Sequence, residues 1–344
     1  MTKQRNQALY RPHELAYRTQ YAELKERSRG AGPLLPGAPG SLALRTGTGY
    51  GYWYRRYYLV PGQEVEDLVC KANEDDALQQ MRERIEFSAW SVHQVRFLRA
   101  LGFQVGDKDV SAVLVELYNK GLFSGGLTVV GTLAFMAMLN ELGAAVVASR
   151  TQDVDLARRQ PLKLAAPVPF LETIQGTRLK FAAVPGMPNS TPSTSVKRPG
   201  REGLRVDLLM PGKVVGKVTS VPELQWHAQS IPYYDYLLEG SQQAAVLAGG
   251  HCIPVGLPQM ARFAWHKLFS SATRVNEPEK AAKDLVQAAT LLALLVEQDD
   301  AVLTESFKEA PAAVRDGARA RLPGLRTLLP AHPQTLEQLE MALA

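Results

Sequence analysis

Apolar residues recur at helical spacing in several stretches of the chain. Between 6 and 28, Leu9, Tyr17, Tyr21 and Leu24 share one face with charges between them. Met81, Ile85, Trp90, Phe97 and Leu101 do the same over 76–102, and Val110, Val113, Leu114 and Leu117 over 108–119. The Gly/Pro-rich run GAGPLLPGAPG at 30–40 breaks the helical pattern. After it the period changes to two: Tyr50, Tyr52, Tyr54 and Tyr58 alternate with Trp53, Arg55, Tyr57 and Leu59, and glycines at 47, 49 and 51 supply turns. That stretch predicts a hairpin or small antiparallel sheet.

Short apolar runs at 127–130, 145–148, 152–156, 179–184 and 204–210 read as strands, with a helix at 132–142 after the first. Residues 185–203, rich in Pro and Gly, read as a flexible loop. Beyond a strand-rich stretch ending near 255, helices are expected at 257–271, 277–297, 300–319 and 333–343. The fold class is therefore α+β: a mixed sheet flanked by helices, with an N-terminal helix-plus-hairpin arm and a C-terminal helical domain. The expected boundaries are 1–75, 76–225 and 226–344, consistent with 344 residues forming two or three units.

Charge changes the picture only at the N-terminus. Residues 1–60 hold ten Lys/Arg against three Asp/Glu, whereas the whole chain carries +5, so the remainder is slightly acidic. Nine of the 26 aromatic residues lie in the same segment, and a basic, aromatic arm points to a polyanionic partner. Arg45, Tyr52, Trp53, Tyr54, Arg55 and Arg56 are the candidate nucleic-acid contacts, since such surfaces stack bases and meet phosphates. Cys70 and Cys252 cannot build a disulfide framework. No apolar run approaches a membrane span, and no secretory leader precedes the first helix, so the expected compartment is the cytoplasm.

Three carboxylates stand out. In TQDVDLA, Asp153 and Asp155 project from one face of a strand while Val154 and Leu156 point to the core. In LRVDLLMPG, Asp207 interrupts an apolar strand, which is costly for a carboxylate without a partner or metal. Brought together they would repel one another, and a hard divalent cation such as Mg²⁺ relieves that repulsion. Upstream, GGLTVVGTLAF reads as strand, turn and helix, with Gly131 and Thr132 opening a helix N-terminus suited to phosphate. Each feature alone has a bland reading: a chance Asp-x-Asp, an ordinary helix start, and an Asp207 paired with Arg205 or Lys213. Their order along the chain is what carries weight.

The run VVGTLAFMAMLNELG, RTQDVDLARR, LRVDLLMPG resembles the DNA polymerase beta-like nucleotidyltransferase superfamily, over about 78–297 and most specifically at 122–156 and 204–210. The form at 150–156 is most similar to the bacterial branch holding abortive-infection nucleotidyltransferase toxins. The resemblance implies a nucleotidyltransferase fold, with Gly131 and Thr132 on the triphosphate of an NTP and Asp153, Asp155 and Asp207 as catalytic metal ligands. It implies two Mg²⁺ ions, or Mn²⁺ in their place, and Arg150, Lys267 and Lys283 near the phosphates. It also implies transfer of a nucleoside monophosphate to an acceptor hydroxyl, with RNA, tRNA-like, as acceptor and a partner protein encoded nearby. Lys197, Arg198 and Arg201 are candidate acceptor contacts. Two alternatives stay open: nucleotidylation of a protein or small molecule, and a non-catalytic nucleic-acid-binding regulator on the same fold.

Overall fold

The computed structural model describes residues 8–47, 49–147, 151–298 and 300–343. Strand β1 (Arg11–Pro12) leads into helix α1 (Leu15–Gly30). The expected start at residue 6 is not observed in the described part, because Pro12 and the extended strand precede the helix. A three-stranded antiparallel sheet follows, β2 (Ser41–Thr46), β3 (Gly51–Val60) and β4 (Gln63–Lys71), in the order β2-β3-β4. Helices α2 (Asp75–Ala100) and α3 (Lys108–Asn119) then cross to the body.

The body alternates strands and helices: β5 (Thr128–Val130), α4 (Gly131–Leu142), β6 (Ala144–Ala145), β7 (Asp153–Ala157), α5 (Phe170–Gly176), β8 (Ala182–Ala183), β9 (Ser195–Lys197) and β10 (Arg205–Pro211). It continues through β11 (Val218–Val221), β12 (Trp226–Ile231), α6 (Tyr234–Leu238), β13 (Gln242–Ala248) and β14 (His251–Leu257). The remainder is helical: α7 (Met260–Thr273), α8 (Pro278–Gln298), α9 (Asp300–Glu309), α10 (Ala312–Ala320), α11 (Leu322–Leu328) and α12 (Pro333–Leu343). This is an α+β fold, a mixed sheet flanked by helices.

The central sheet runs β11-β12-β10-β7-β5-β14-β13, with β9 and β8 added beside the first half of β10. Strand β10 is parallel to β7 and β12, while β5 is antiparallel to β7 and parallel to β14. Every residue of β14 is buried, as expected for a strand covered on both faces. Helix α4 packs on β7 and β13; α1, α2 and α3 close over β14. The expected boundary at 225/226 falls within the sheet, since β12, β13 and β14 all belong to it.

Three local departures have physical causes. The expected loop at 185–203 contains β9, held by its register with Arg205, Val206 and Asp207 of β10. The single helix expected at 300–319 is divided at Pro311, which caps α10 because proline cannot continue α9. Helices α5 and α11 were not foreseen; both are only seven residues long, too short for a periodicity to register. No helix among the described residues is long and apolar enough to cross a membrane.

The N-terminal arm is part of the core. Leu24 of α1 is fully buried with Val95, Leu98, Phe103 and Leu247, and Tyr21 donates to Glu141 Oε1 at 2.8 Å. On β3 the period of two places Arg55, Tyr57 and Leu59 inward. Arg55, expected to meet nucleic acid, is instead 2% exposed and donates to the carbonyls of Pro36, Ala38 and Pro39. Its guanidinium lies 3.8 Å from the Tyr57 ring centroid. The carbonyls of the 36–39 turn have no better donor there, which is why a cation is tolerated inside. The other two arginines proposed as contacts are paired across the sheet: Arg45 with Glu66, and Arg56 with Glu64 and Glu66. Tyr52, Trp53 and Tyr54 are half-buried.

Arg55→Met should therefore leave three carbonyls short of a donor and destabilise the protein by roughly 3 kcal/mol. Arg45→Ala, which removes an exposed pair, should cost under about 1 kcal/mol. Urea unfolding of both variants checks the contrast, and equal costs would contradict this account of Arg55.

Candidate active site

The strand register assembles the site. Strand β7 pairs with β10 so that Asp153 stands opposite Arg205 and Asp155 opposite Asp207. Paired residues of neighbouring strands point to the same face, so Asp153, Asp155 and Asp207 share one side of the sheet. The intervening Val154, Leu156, Val206 and Leu208 face the other way and are fully buried. On the far edge of β7, Val130 of β5 stands opposite Asp155, and α4 begins at the next residue.

Gly131 is where helix and carboxylate meet. Its φ is +68°, and a Cβ there would fall 2.0 Å from Asp155 Oδ2. Only glycine permits both the left-handed conformation and that approach. Val130, in extended conformation, provides no side-chain cap, so the first N–H groups of α4 remain available beside half-buried Thr132.

Electrostatics confirm the crowding. Burial, then the neighbouring charges of Asp207 and Asp153, push the Asp155 carboxyl up to about 7. Asp207 Oδ1 accepts hydrogen bonds from Ser195 Oγ and from Arg205 Nε, the latter at 2.8 Å. Arg205 Nη2 also donates to Ser195 Oγ at 2.8 Å. The bland pairing of Asp207 with Arg205 thus exists, and it lies inside the cleft.

The opposite wall comes from α7 and α8. Lys267 Nζ lies 2.5 Å from Asp284 Oδ1, and Arg274 Nε lies 3.2 Å from Asp284 Oδ2. Asp284 is buried at the base of this triad and holds both cations in place. Lys283 also lines the cleft without an ion pair among the described residues. Desolvation and then the Lys267 charge lower its pKa, while Asp284, Asp153 and Asp155 oppose that shift. His266, buried behind them, is driven down to about 4 by desolvation and is a neutral imidazole at pH 7. The cleft between these walls measures about 470 Å³.

The cleft therefore brings together Gly131, Thr132, Asp153, Asp155, Asp207, Lys267 and Lys283. Arg150 lies outside the described residues. Arg205, Ser195, Arg274 and Asp284 complete the surroundings. Arg205 was legible only as a partner for Asp207, being two residues away on the same strand face; Ser195 lay hidden in a Pro/Gly-rich run. Among the described residues no group of three or more His, Cys, Asp or Glu is arranged to hold a metal ion. Asp207 is turned to Arg205 and Ser195 in this conformation. The donor set itself suits a hard cation: oxygen-only ligands whose mutual repulsion raises the Asp155 pKa.

A family model described as nucleotidyltransferase matches residues 108–312, more than half of the chain. The chain belongs to this nucleotidyltransferase family. The match spans Gly131, the carboxylate trio and the Lys267–Asp284–Arg274 wall. No match is found among curated proteins.

Gly131→Ala should both strain the helix start and displace Asp155, lowering stability by roughly 2 kcal/mol. Gly62→Ala, at φ +82° with open space around it, should cost only about 1 kcal/mol. Thermal unfolding of the pair isolates the close approach; equal losses would remove it.

A second expectation concerns pH. A carboxyl whose folded pKa is about 7, against 3.8 when free, destabilises the folded state increasingly as pH rises through that window. In chelator-treated protein, Asp155→Asn should therefore gain stability over wild type between pH 4 and pH 8. A gain that is flat or shrinks with pH would contradict the raised value.

Proposed function

We propose that this chain is a Mg²⁺-dependent nucleotidyltransferase that moves a nucleoside monophosphate from an NTP to an acceptor hydroxyl on RNA. The observation that carries the reading is the in-register placement of Asp155 beside Asp207, with Gly131 pressed against Asp155. A structural sheet gains nothing from two adjacent carboxylates facing a glycine-initiated helix, whereas a phosphate site needs both.

Asp153, Asp155 and Asp207 are the residues that would hold two Mg²⁺ or Mn²⁺ ions. When bound, such ions stabilise the attacking and leaving oxygens and favour ionisation of the hydroxyl. The free N–H groups of α4 at Gly131 and Thr132 bind the triphosphate, because a helix N-terminus favours anions. Lys267, Lys283 and Arg274 neutralise phosphate charge from the opposite wall. The fixed placement of Lys267 and Arg274 matters, since Asp284 removes the reorganisation that free cations would require. Arg205, which lines the cleft beside Asp207, adds a further positive charge for substrate phosphate. Asp207 also orients the acceptor hydroxyl and draws on its proton. The toxin-like branch suggested by 150–156 supports RNA as acceptor.

The test is turnover of labelled NTP with total cell extract, resolved into RNA, protein and free nucleotide. Label should enter RNA, and Asp153→Ala with Asp155→Ala should abolish Mg²⁺-dependent turnover while the variant stays folded. Unchanged turnover in that variant removes the site; label in protein or small nucleotide removes the RNA acceptor.

A further inference from the structure

Two cavities outside the catalytic cleft share a wall. The larger, about 780 Å³, lies between α2, the start of α3, the turn at 249–250 and the end of β3. The smaller, about 360 Å³, shares Arg99 and residues 105–107 with it and extends to Thr151. Thr151 Oγ1 donates to the carbonyl of Asp153 and accepts from its N–H. Asp153 lines the catalytic cleft. The two cavities adjoin at Arg99 and residues 105–107, forming a trench whose near end, at Thr151, is two residues along the chain from Asp153.

Positive charge dominates this trench. Arg96 and Arg99 on α2 and Lys108 at the start of α3 are exposed and line it. None has an ion pair or side-chain hydrogen bond among the described residues. Other cations are held in ion pairs: Arg198 with Asp109, Arg56 with Glu66, Lys25 with Glu141. Among the described residues Asp107 is the only acid lining either cavity, and Glu64 stands behind the rim, bonded to the Tyr58 hydroxyl. Three unpaired cations facing one space attract a ligand that carries several negative charges in a row. The outer wall presents Tyr58, 52% exposed, a flat apolar face beside those cations.

We propose that this trench carries the acceptor, a single-stranded polynucleotide. Its phosphates meet Arg99, Arg96 and Lys108 in turn, one base stacks on Tyr58, and its reactive end lies at Asp153. Spaced anionic groups alternating with flat aromatic rings match cations alternating with an aromatic face. A duplex buries its bases and could not use Tyr58. The assignment rests on the proposed nucleotidyl transfer for the end that reacts. It differs from the hairpin surface expected at 45–56, whose arginines are buried or paired.

The experiment uses the full chain and a fluorescent oligouridylate followed by anisotropy across a series of KCl concentrations. Wild type should bind with affinity falling steeply as salt rises. Arg96→Ala, Arg99→Ala and Lys108→Ala together should weaken binding at least tenfold and reduce the salt slope by roughly 2, near 0.7 per lost phosphate contact. Tyr58→Leu should weaken binding roughly tenfold with the slope unchanged. The triple variant should keep wild-type thermal stability and wild-type NTP binding, since none of the three residues lines the catalytic cleft. The trench assignment is overturned if wild type does not bind, or if the triple variant binds as wild type does. Displacement by polyglutamate as readily as by unlabelled oligouridylate also overturns it, in favour of an acidic protein. Loss of the nucleotidyl-transfer reading shows separately, as unchanged turnover in Asp153→Ala with Asp155→Ala, and leaves these binding results independent.

Discussion

The lateral pairing of β7 with β10 places like charges side by side, and the rest of the site answers to that. Asp155 and Asp207 would separate if the sheet let them. It does not, because Val154, Leu156, Val206 and Leu208 alternate with them and are fully buried on the opposite face. A slip of one residue would turn four apolar side chains toward the polar cleft and bury the carboxylates. Burying each such side chain stabilises by about 1.5–3 kcal/mol, so the apolar face outweighs carboxylate repulsion and sets the register. Burial first, and that repulsion second, then raise the Asp155 pKa in the folded state, which is a capacity to bind positive charge.

The surrounding groups divide that capacity. Arg205 and Ser195 engage one oxygen of Asp207, whereas Asp155 has no ion pair among the described residues and rests against Gly131. Across the cleft, Asp284 is itself a buried carboxylate, but its charge is directed at Lys267 and Arg274. Removing it would leave two cations loosely held, and burying it without them would be prohibitive. The cleft therefore has an anionic floor and a cationic wall, each fixed from behind. A substrate that is both metal-chelating and anionic, as a triphosphate is, matches this polarity in one orientation only.

Much of the trio was legible because it obeys a local rule: Asp153 and Asp155 lie two apart on a strand, and apolar neighbours require them to face away from the core. The long-range part was accessible only through the order of motifs, since no local pattern says that 205–209 lies beside 153–157. Ser195 was illegible for a related reason. Proline and glycine dominate 185–203, yet three residues there add to an existing strand edge, where pairing rather than propensity decides. The arm was misread through charge. Just beyond residue 60 stand Glu64 and Glu66, which pair across the sheet with Arg56 and Arg45, and Asp67, which pairs with Arg178 from the segment after α5. The arginines of the sheet, Arg45 and Arg56, are therefore matched by acids in space.

That neutralisation bears on where a polyanion can bind. A surface is attractive by its uncompensated charge, not by its arginine count, and an arginine already bound to glutamate must lose that partner to meet phosphate. On the arm, Arg45 and Arg56 have such partners and Arg55 has a ring of carbonyls. On α2 and α3 no acid stands within reach of Arg96, Arg99 or Lys108 to form an ion pair among the described residues. The arm contributes to that region by enclosing it: β3 and the 37–39 turn form one wall of the larger cavity. Strand β4 packs on α2 and β3 on α3, which holds that wall in place. The aromatic segment thus acts as a fixed boundary for the trench, and the attraction arises from helices whose sequence shows no basic run.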